Sequence, residues 1–374
     1  PVPSEILYEM LPYFNSKAYG NPTLTHKQGW EAYEAIMEAA DSIAKLIGAS
    51  SEELCFTSGE VEANNTAILG SLWEKKGKIV TSAIDPLTII LPLEMLKKKG
   101  YDVIKVPVDS EGFINLDEFS NAIDKETVMV STSIVNNEIG TIQPFKEIVE
   151  IAKDKNPEII VHMDASDAYG RVIFNVKKLD VDLLTISSYK IMGPRGVAAL
   201  YVREGMEVER IIEGPVGTQR LWPGVENTPL IVGFKKASQL AFEKFEENVN
   251  KMKKLRDMLI EELLNIEDTL INGPIGEKRA PDNVNISFLH CEGESLTIEL
   301  SFRGVYVSSG SACTRRILQP SHVLIAIGRE YEAAHGSILM KVSRYHSVDD
   351  MKYVIESFKS AVERIRAISP IGRK

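Results

Sequence analysis

Val181-Asp182-Leu183-Leu184-Thr185-Ile186-Ser187-Ser188-Tyr189-Lys190, running on to Gly193-Pro194-Arg195-Gly196, is an apolar run, then hydroxyls and a lysine, then a Gly/Pro turn. A short run bounded by turn residues reads as a buried strand, so Lys190 stands just past a strand end. A second run, Ile159-Ile160-Val161-His162-Met163, delivers Asp164 to its own end. Further strands read at 78–82, 102–108, 127–134 and 197–203, with helices between them at 62–75, 87–99 and 145–154. This alternation predicts an α/β fold with a mainly parallel central sheet covered by helices on both faces. In such folds a ligand lies at the C-terminal strand ends. Asn137, Asp164 and Lys190 all fall just after strands, so the three converge on one place.

An acid and a lysine at neighbouring strand ends are what pyridoxal phosphate needs. The amine forms a Schiff base, and the carboxylate keeps the pyridinium nitrogen protonated so that the ring accepts electrons. A strand-end Asp also serves as a turn residue and a lysine before Gly-Pro as solvated surface, so the pair alone does not decide. A third element adds weight. Ser308-Ser309-Gly310-Ser311-Ala312-Cys313-Thr314 presents one cysteine on a loop with too little apolar side chain to pack, which predicts mobility. Gln319-Pro320-Ser321-His322 follows it.

These three segments occur in order with Gly20-Asn21-Pro22, Phe56-Thr57-Ser58-Gly59, Glu62-Ala63-Asn64-Asn65 and Asn136-Asn137-Glu138-Ile139-Gly140-Thr141. Together they resemble the cysteine desulfurases, pyridoxal-phosphate enzymes of the class-V aminotransferase group and fold type I, of the kind with an SSGSAC loop. The resemblance covers essentially the whole chain. It implies Lys190 and Cys313 as catalytic residues and L-cysteine as substrate, whose sulfur becomes a persulfide on Cys313 with release of alanine. It also implies Asp164 on the pyridinium nitrogen and Asn137 on the phenolic oxygen, with Ser187, Gly59 and Glu60 near the phosphate. A homodimer follows from it, as does a sulfur-acceptor or iron-sulfur scaffold protein as partner.

The departures fall in the pocket. Pro86 stands where the family stacks a histidine on the ring, and Asp167 where it has a glutamine. A carboxylate at 167 accepts from a protonated phenol but repels a phenolate. Glu60 and Val61 replace an alanine and a threonine, Tyr189 a histidine, and Val225 a threonine lent by the partner subunit. Each lost hydrogen bond to phosphate costs about 1.5–3 kcal/mol. The arginine that grips the substrate carboxylate falls at Leu339. Lys341 and Arg344 are the candidate replacements, and strand alternation places Lys341 on the face of Leu339. Two other readings therefore stay open: a different pyridoxal-phosphate lyase or transferase, and a non-catalytic sulfur-carrier scaffold.

The chain has 374 residues, enough for two domains, and a formal charge of −10, which argues against nucleic acid or an anionic membrane surface as partner. Its apolar stretches stop well short of the ~18 residues of a membrane span. No stretch at the N-terminus reads as a signal peptide, although the family carries a short strand and turn before the point matching Pro1. Cys55, Cys291 and Cys313 form no CxxC pair and no metal spacing, which points to a reducing cytoplasm. A helix is expected over 30–47, stopped by Gly48, and a long helical pattern over 229–267. Strands at 283–288 and 304–307 and helices at 293–302 and 348–368 form a smaller α+β unit. The expected domains are 13–240 for the cofactor, and 1–12 with 241–374, including the cysteine loop at about 308–321.

Overall fold

The apolar runs assemble into two sheets. The computed structural model describes residues 1–73, 75–310 and 320–368. Seven strands form the larger sheet: β1 (Leu54–Thr57), β2 (Lys78–Ser82), β3 (Asp102–Val106), β4 (Thr127–Ser133), β5 (Ile160–Asp164), β6 (Leu183–Ser187) and β7 (Ala198–Val202). Their spatial order is β1-β7-β6-β5-β4-β2-β3. The run β3-β2-β4-β5-β6 is parallel, and β7 alone runs against its neighbours β6 and β1. Successive residues feed opposite faces: Ile160 and Leu183 join one core, Val161 and Leu184 the other. A sheet buried on both faces needs such continuous apolar strands.

The smaller sheet is antiparallel, in the order β10-β11-β9-β8. Its strands are β8 (Thr269–Ile271), β9 (Asn283–Phe288), β10 (Ser308–Ser309) and β11 (Ser337–Lys341). Helices Gly293–Phe302 and Val348–Ile368 share its separate core, where Phe288 stacks on Phe358. The side chains of Asn283 and Asn285 on β9 donate to the Glu138 carbonyl at 3.0 and 3.1 Å. The smaller sheet is thereby pinned to the loop that carries Asn137.

The predicted α/β class holds, with four local differences. The long helical pattern is two helices, Thr228–Phe242 and Phe245–Leu264, broken where Lys244 takes φ −126° and ψ 49°. Residues 305–307 do not pair; β10 begins at Ser308, opposite Leu339. The helix expected at 62–75 starts at Glu60 and turns π-helical over Thr66–Gly70. The N-terminal segment, expected with the smaller unit, is a helix (Ser4–Met10) whose Ile6 and Met10 are buried in the larger core. Among the described residues no helix is long and apolar enough to cross a membrane.

Candidate active site

Lys190 sits in the turn that reverses the chain between β6 and β7. Ser187 ends β6, a single 3-10 turn (Tyr189–Ile191) follows, and Met192 takes a left-handed conformation at φ 71°. Gly193 suits the turn, because a Cβ would lie 2.9 Å from the Ala237 Cβ and 3.0 Å from the Ser188 carbonyl, as well as against the Ser188 Oγ. Arg171 fixes the turn from outside, donating from Nη2 to the Lys190 carbonyl at 2.5 Å and from Nε to Asp282 at 2.6 Å.

Asp164, at the end of β5, is held from both sides. The Ser166 backbone N–H donates to its Oδ1 at 2.8 Å and the Asn64 Nδ2 to its Oδ2 at 2.7 Å. Burial pushes its proton affinity up, against these hydrogen bonds. Asn64 escaped the sequence reading. The available signal was its spacing four residues after Glu60, which puts both on one helix face. Asp85 organises the neighbouring strand ends, accepting from Thr81, Ser82, Thr132 and Ser133. Burial raises its pKa to about 6 even with these donors. Asn136 is a turn holder, accepting from the backbone N–H groups of Glu138 and Ile139 and donating to the Ile84 carbonyl. Its neighbour Asn137 faces the cavity.

The cavity, of about 200 Å³, brings together most of the expected residues: Lys190, Asp164, Asn137, Glu60, Pro86, Asp167 and Tyr189. Ser187 is wholly buried, with its Oγ lacking a partner, and is not part of this lining. Gly59 has open space where a Cβ would be, while Val61 and Val225 are both exposed. Cys313 lies outside the described residues.

Charge dominates this cavity. The Lys190 Nζ lies 2.7 Å from Asp167 Oδ2, and Lys341 reaches Asp167 Oδ1 at 3.1 Å. Burial alone would raise the Asp167 pKa, but Lys190, Lys341 and Arg171 more than reverse it and hold the carboxyl well below the usual range. Burial works against the Lys190 ammonium, yet Asp167, Glu60 and Tyr189 hold its pKa above the ordinary lysine value. Glu60 accepts from the Tyr189 hydroxyl at 2.9 Å.

Beyond Lys190 a second cavity of about 440 Å³ shares Asn137, Asp167, Tyr189 and Lys190, and continues to Arg171, Leu339 and Lys341. Lys341 thus lies on the Leu339 side, as strand alternation predicted. Arg344 also borders it, but its guanidinium is directed at the Ile191 carbonyl (3.4 Å) and the Tyr345 ring.

Glu138, Ser321 and His322, to which the sequence assigned no role, are among the other lining residues. The His322 Nε2 lies 2.9 Å from the Asp85 carbonyl, and burial lowers its pKa. Ser321 donates to Glu138 at 2.7 Å, and burial pushes the Glu138 carboxyl up to about 7. Folded Glu138 therefore keeps its proton at pH values where the unfolded chain has released it. The resulting stability is full below about pH 4.5 and is lost as pH rises through about 7. Glu138→Gln should remove that slope. The wild-type minus variant unfolding free energy should fall across this window by on the order of 3 kcal/mol, and a flat difference would refute the assignment.

The Aminotransferase class-V family matches residues 1–353. Cysteine desulfurase IscS 1 of Archaeoglobus fulgidus is 40% identical over 377 residues, covering 100% of this chain and 97% of that protein. Among solved structures, a NifS-like protein superposes with a TM-score of 0.91 at 32% identity, over 97% of this chain and 96% of its own. A structure described as SspA in complex with cysteine superposes at 0.79 and 30% identity, over 93% and 97%. The likeness spans essentially the whole chain, and the chain belongs to the cysteine desulfurases of the pyridoxal-phosphate-dependent class-V aminotransferase family.

Proposed function

We propose that this chain is a pyridoxal-phosphate-dependent enzyme that takes sulfur from L-cysteine as a persulfide on Cys313 and releases L-alanine. One observation carries the reading most directly. Gly310 and Ser321, which bracket the segment holding Cys313, line the same cavity as Lys190 and Asp164. The relative described as a complex with cysteine supports the substrate.

The residues suit the cofactor. The carboxylate of Asp164, already oriented by Asn64 and the Ser166 N–H, would pair with the cofactor's ring nitrogen, and the Lys190 amine would take its carbonyl. The open Gly59 and the unpartnered Ser187 Oγ leave donors and space for an anion nearby. When bound, pyridoxal phosphate supplies a carbonyl for amines and an electron-accepting ring. Lys190 would hold it, and the Lys190 amine, 2.7 Å from Asp167, would move the substrate's α-proton. Asn137 and Asp167, which line the cavity with Lys190, would hold the cofactor's phenolic oxygen, and Pro86 would lie against its ring with no proton to shuttle. Lys341, beside Leu339 in the second cavity and ion-paired with Asp167, would take the substrate carboxylate in place of an arginine at 339, and Arg344 borders the same cavity. The Cys313 thiolate attacks the substrate sulfur. A sulfur–sulfur bond forms and the carbon–sulfur bond breaks, with its electron pair left on carbon, which takes up a proton to give alanine.

The division at about residue 240 into a cofactor domain and a cysteine-loop domain belongs to this reading. So do a homodimer, a cytoplasmic setting and a sulfur-acceptor or iron-sulfur scaffold protein as recipient. The test is a single turnover with L-cysteine and no reductant, counting alanine and protein-bound persulfide. One alanine per persulfide is the expected result. Turnover of another amino acid, with cysteine inert, would replace this reading by a different lyase or transferase.

A further inference from the structure

Three carboxylates surround Lys190, and one of them sits where a ligand's own anion belongs. The resemblance assigns the segment Gly59–Val61 and residue 189 to the cofactor's phosphate. In the fold, Glu60 lines the cavity, its Oε1 accepting from Tyr189 and its Oε2 buried without a protein partner. The hydroxyl at 189 is therefore already committed to a carboxylate of the chain.

We propose that Glu60 fills the phosphate end of the cavity with a carboxyl group, so that pyridoxal phosphate enters with a proton shared between Glu60 and the phosphate. Glu60 then sets how far the chain prefers pyridoxal phosphate to unphosphorylated pyridoxal. This rests on the cofactor reading above.

The physics is that of two anions brought together at one end of a cavity of about 200 Å³. A phosphate monoester has its second pKa near 6, so it is largely dianionic at neutral pH. Beside a carboxylate it is repelled unless one proton lies between them, as in paired acids sharing a site. The groups facing Glu60 are Lys190, Asp164, Asp167 and Tyr189. Burial raises its pKa, Lys190 opposes this, and Asp164 and Asp167 reinforce it. Lys190, paired with Asp167 at 2.7 Å, offsets only part of the repulsion. Pyridoxal has no phosphate to place there, and leaves the Tyr189–Glu60 hydrogen bond intact.

The experiment measures dissociation constants for pyridoxal phosphate and for pyridoxal by visible absorbance, from about pH 6 to about pH 9. Wild type, Glu60→Gln, Glu60→Ala and Lys190→Ala are compared, with circular dichroism to confirm folding. Lys190 and Asp164 act on both ligands alike, so the ratio of the two constants isolates the phosphate end. In the wild type the preference for the phosphorylated form should fall as pH rises. In Glu60→Gln, pyridoxal phosphate should bind about tenfold or more tightly at the alkaline end, the removal of one close anionic contact, while pyridoxal changes little. A ratio unchanged in both Glu60 variants, with a Lys190-dependent band present, overturns this proposal and leaves the cofactor reading standing. No Lys190-dependent band with either ligand in wild type and Glu60 variants overturns both.

Discussion

Lys190→Ala should abolish the visible band that pyridoxal phosphate develops in the wild type and slow alanine formation by on the order of 10⁴-fold, the range for loss of a positioned acid–base group. Among the described residues no neighbour is placed to replace it. Lys341 has its ammonium on the far oxygen of Asp167 and within 3.7 Å of Asp282. The substitution also leaves Asp167, 5% exposed, with one cation fewer. Removing one partner of a fully buried pair costs about 3–5 kcal/mol. Here Lys341 and Arg171 remain, so the loss should be smaller, visible as a lower melting temperature. Lys190→Arg separates the two effects, because it keeps the charge but cannot form an imine. It should melt near the wild type and still show no band. A Lys190→Ala protein with the band intact would remove the lysine from its proposed role.

The second large effect belongs to Cys313. Cys313→Ser should leave the cofactor band and its response to L-cysteine unchanged, while persulfide falls to background and alanine release drops by about 10²-fold or more. A serine hydroxyl is scarcely ionised at neutral pH and is a poor match for sulfur, whereas a thiolate attacks sulfur readily. Neither Cys55 nor Cys291 should compensate. Both are buried, and burial pushes the Cys55 thiol up to about 12. Persulfide formed at the wild-type rate in Cys313→Ser would sink the assignment.

The places of Asp164 and Lys190 were legible because each closely follows an apolar run that reads as a buried strand, and strand ends in such sheets gather on one edge. Lys341 was legible by alternation from Leu339. Asn64 was not, since an asparagine early in a helix gives no local sign of the strand end opposite it. Glu138 and Ser321 meet across a sequence separation that no local pattern spans. The break at Lys244 escaped because charged residues with good helix propensity fill the gap. The chain leaves helical geometry there as one helix packs on the larger core and the next on the smaller. Residues 305–307 alternate like a strand, with Val305 buried and Tyr306 exposed, yet pairing opposite β11 starts only at Ser308. Alternation reports which side faces the core and says nothing of whether an edge is available.

The reversal of β7 has a mechanical consequence. Every other connection between successive strands of the larger sheet includes a helix, but β6 and β7 are joined by residues 188–197 alone. Both ends of that tether are clamped by paired strands, and Arg171 bolts its middle through the Lys190 carbonyl. A short loop has few alternative shapes to explore, so its attachment point moves little. The amine is thus mounted on a short strand connection clamped at both ends: its reach is that of the lysine side chain, and any larger approach in the reaction must come from the groups that travel toward it.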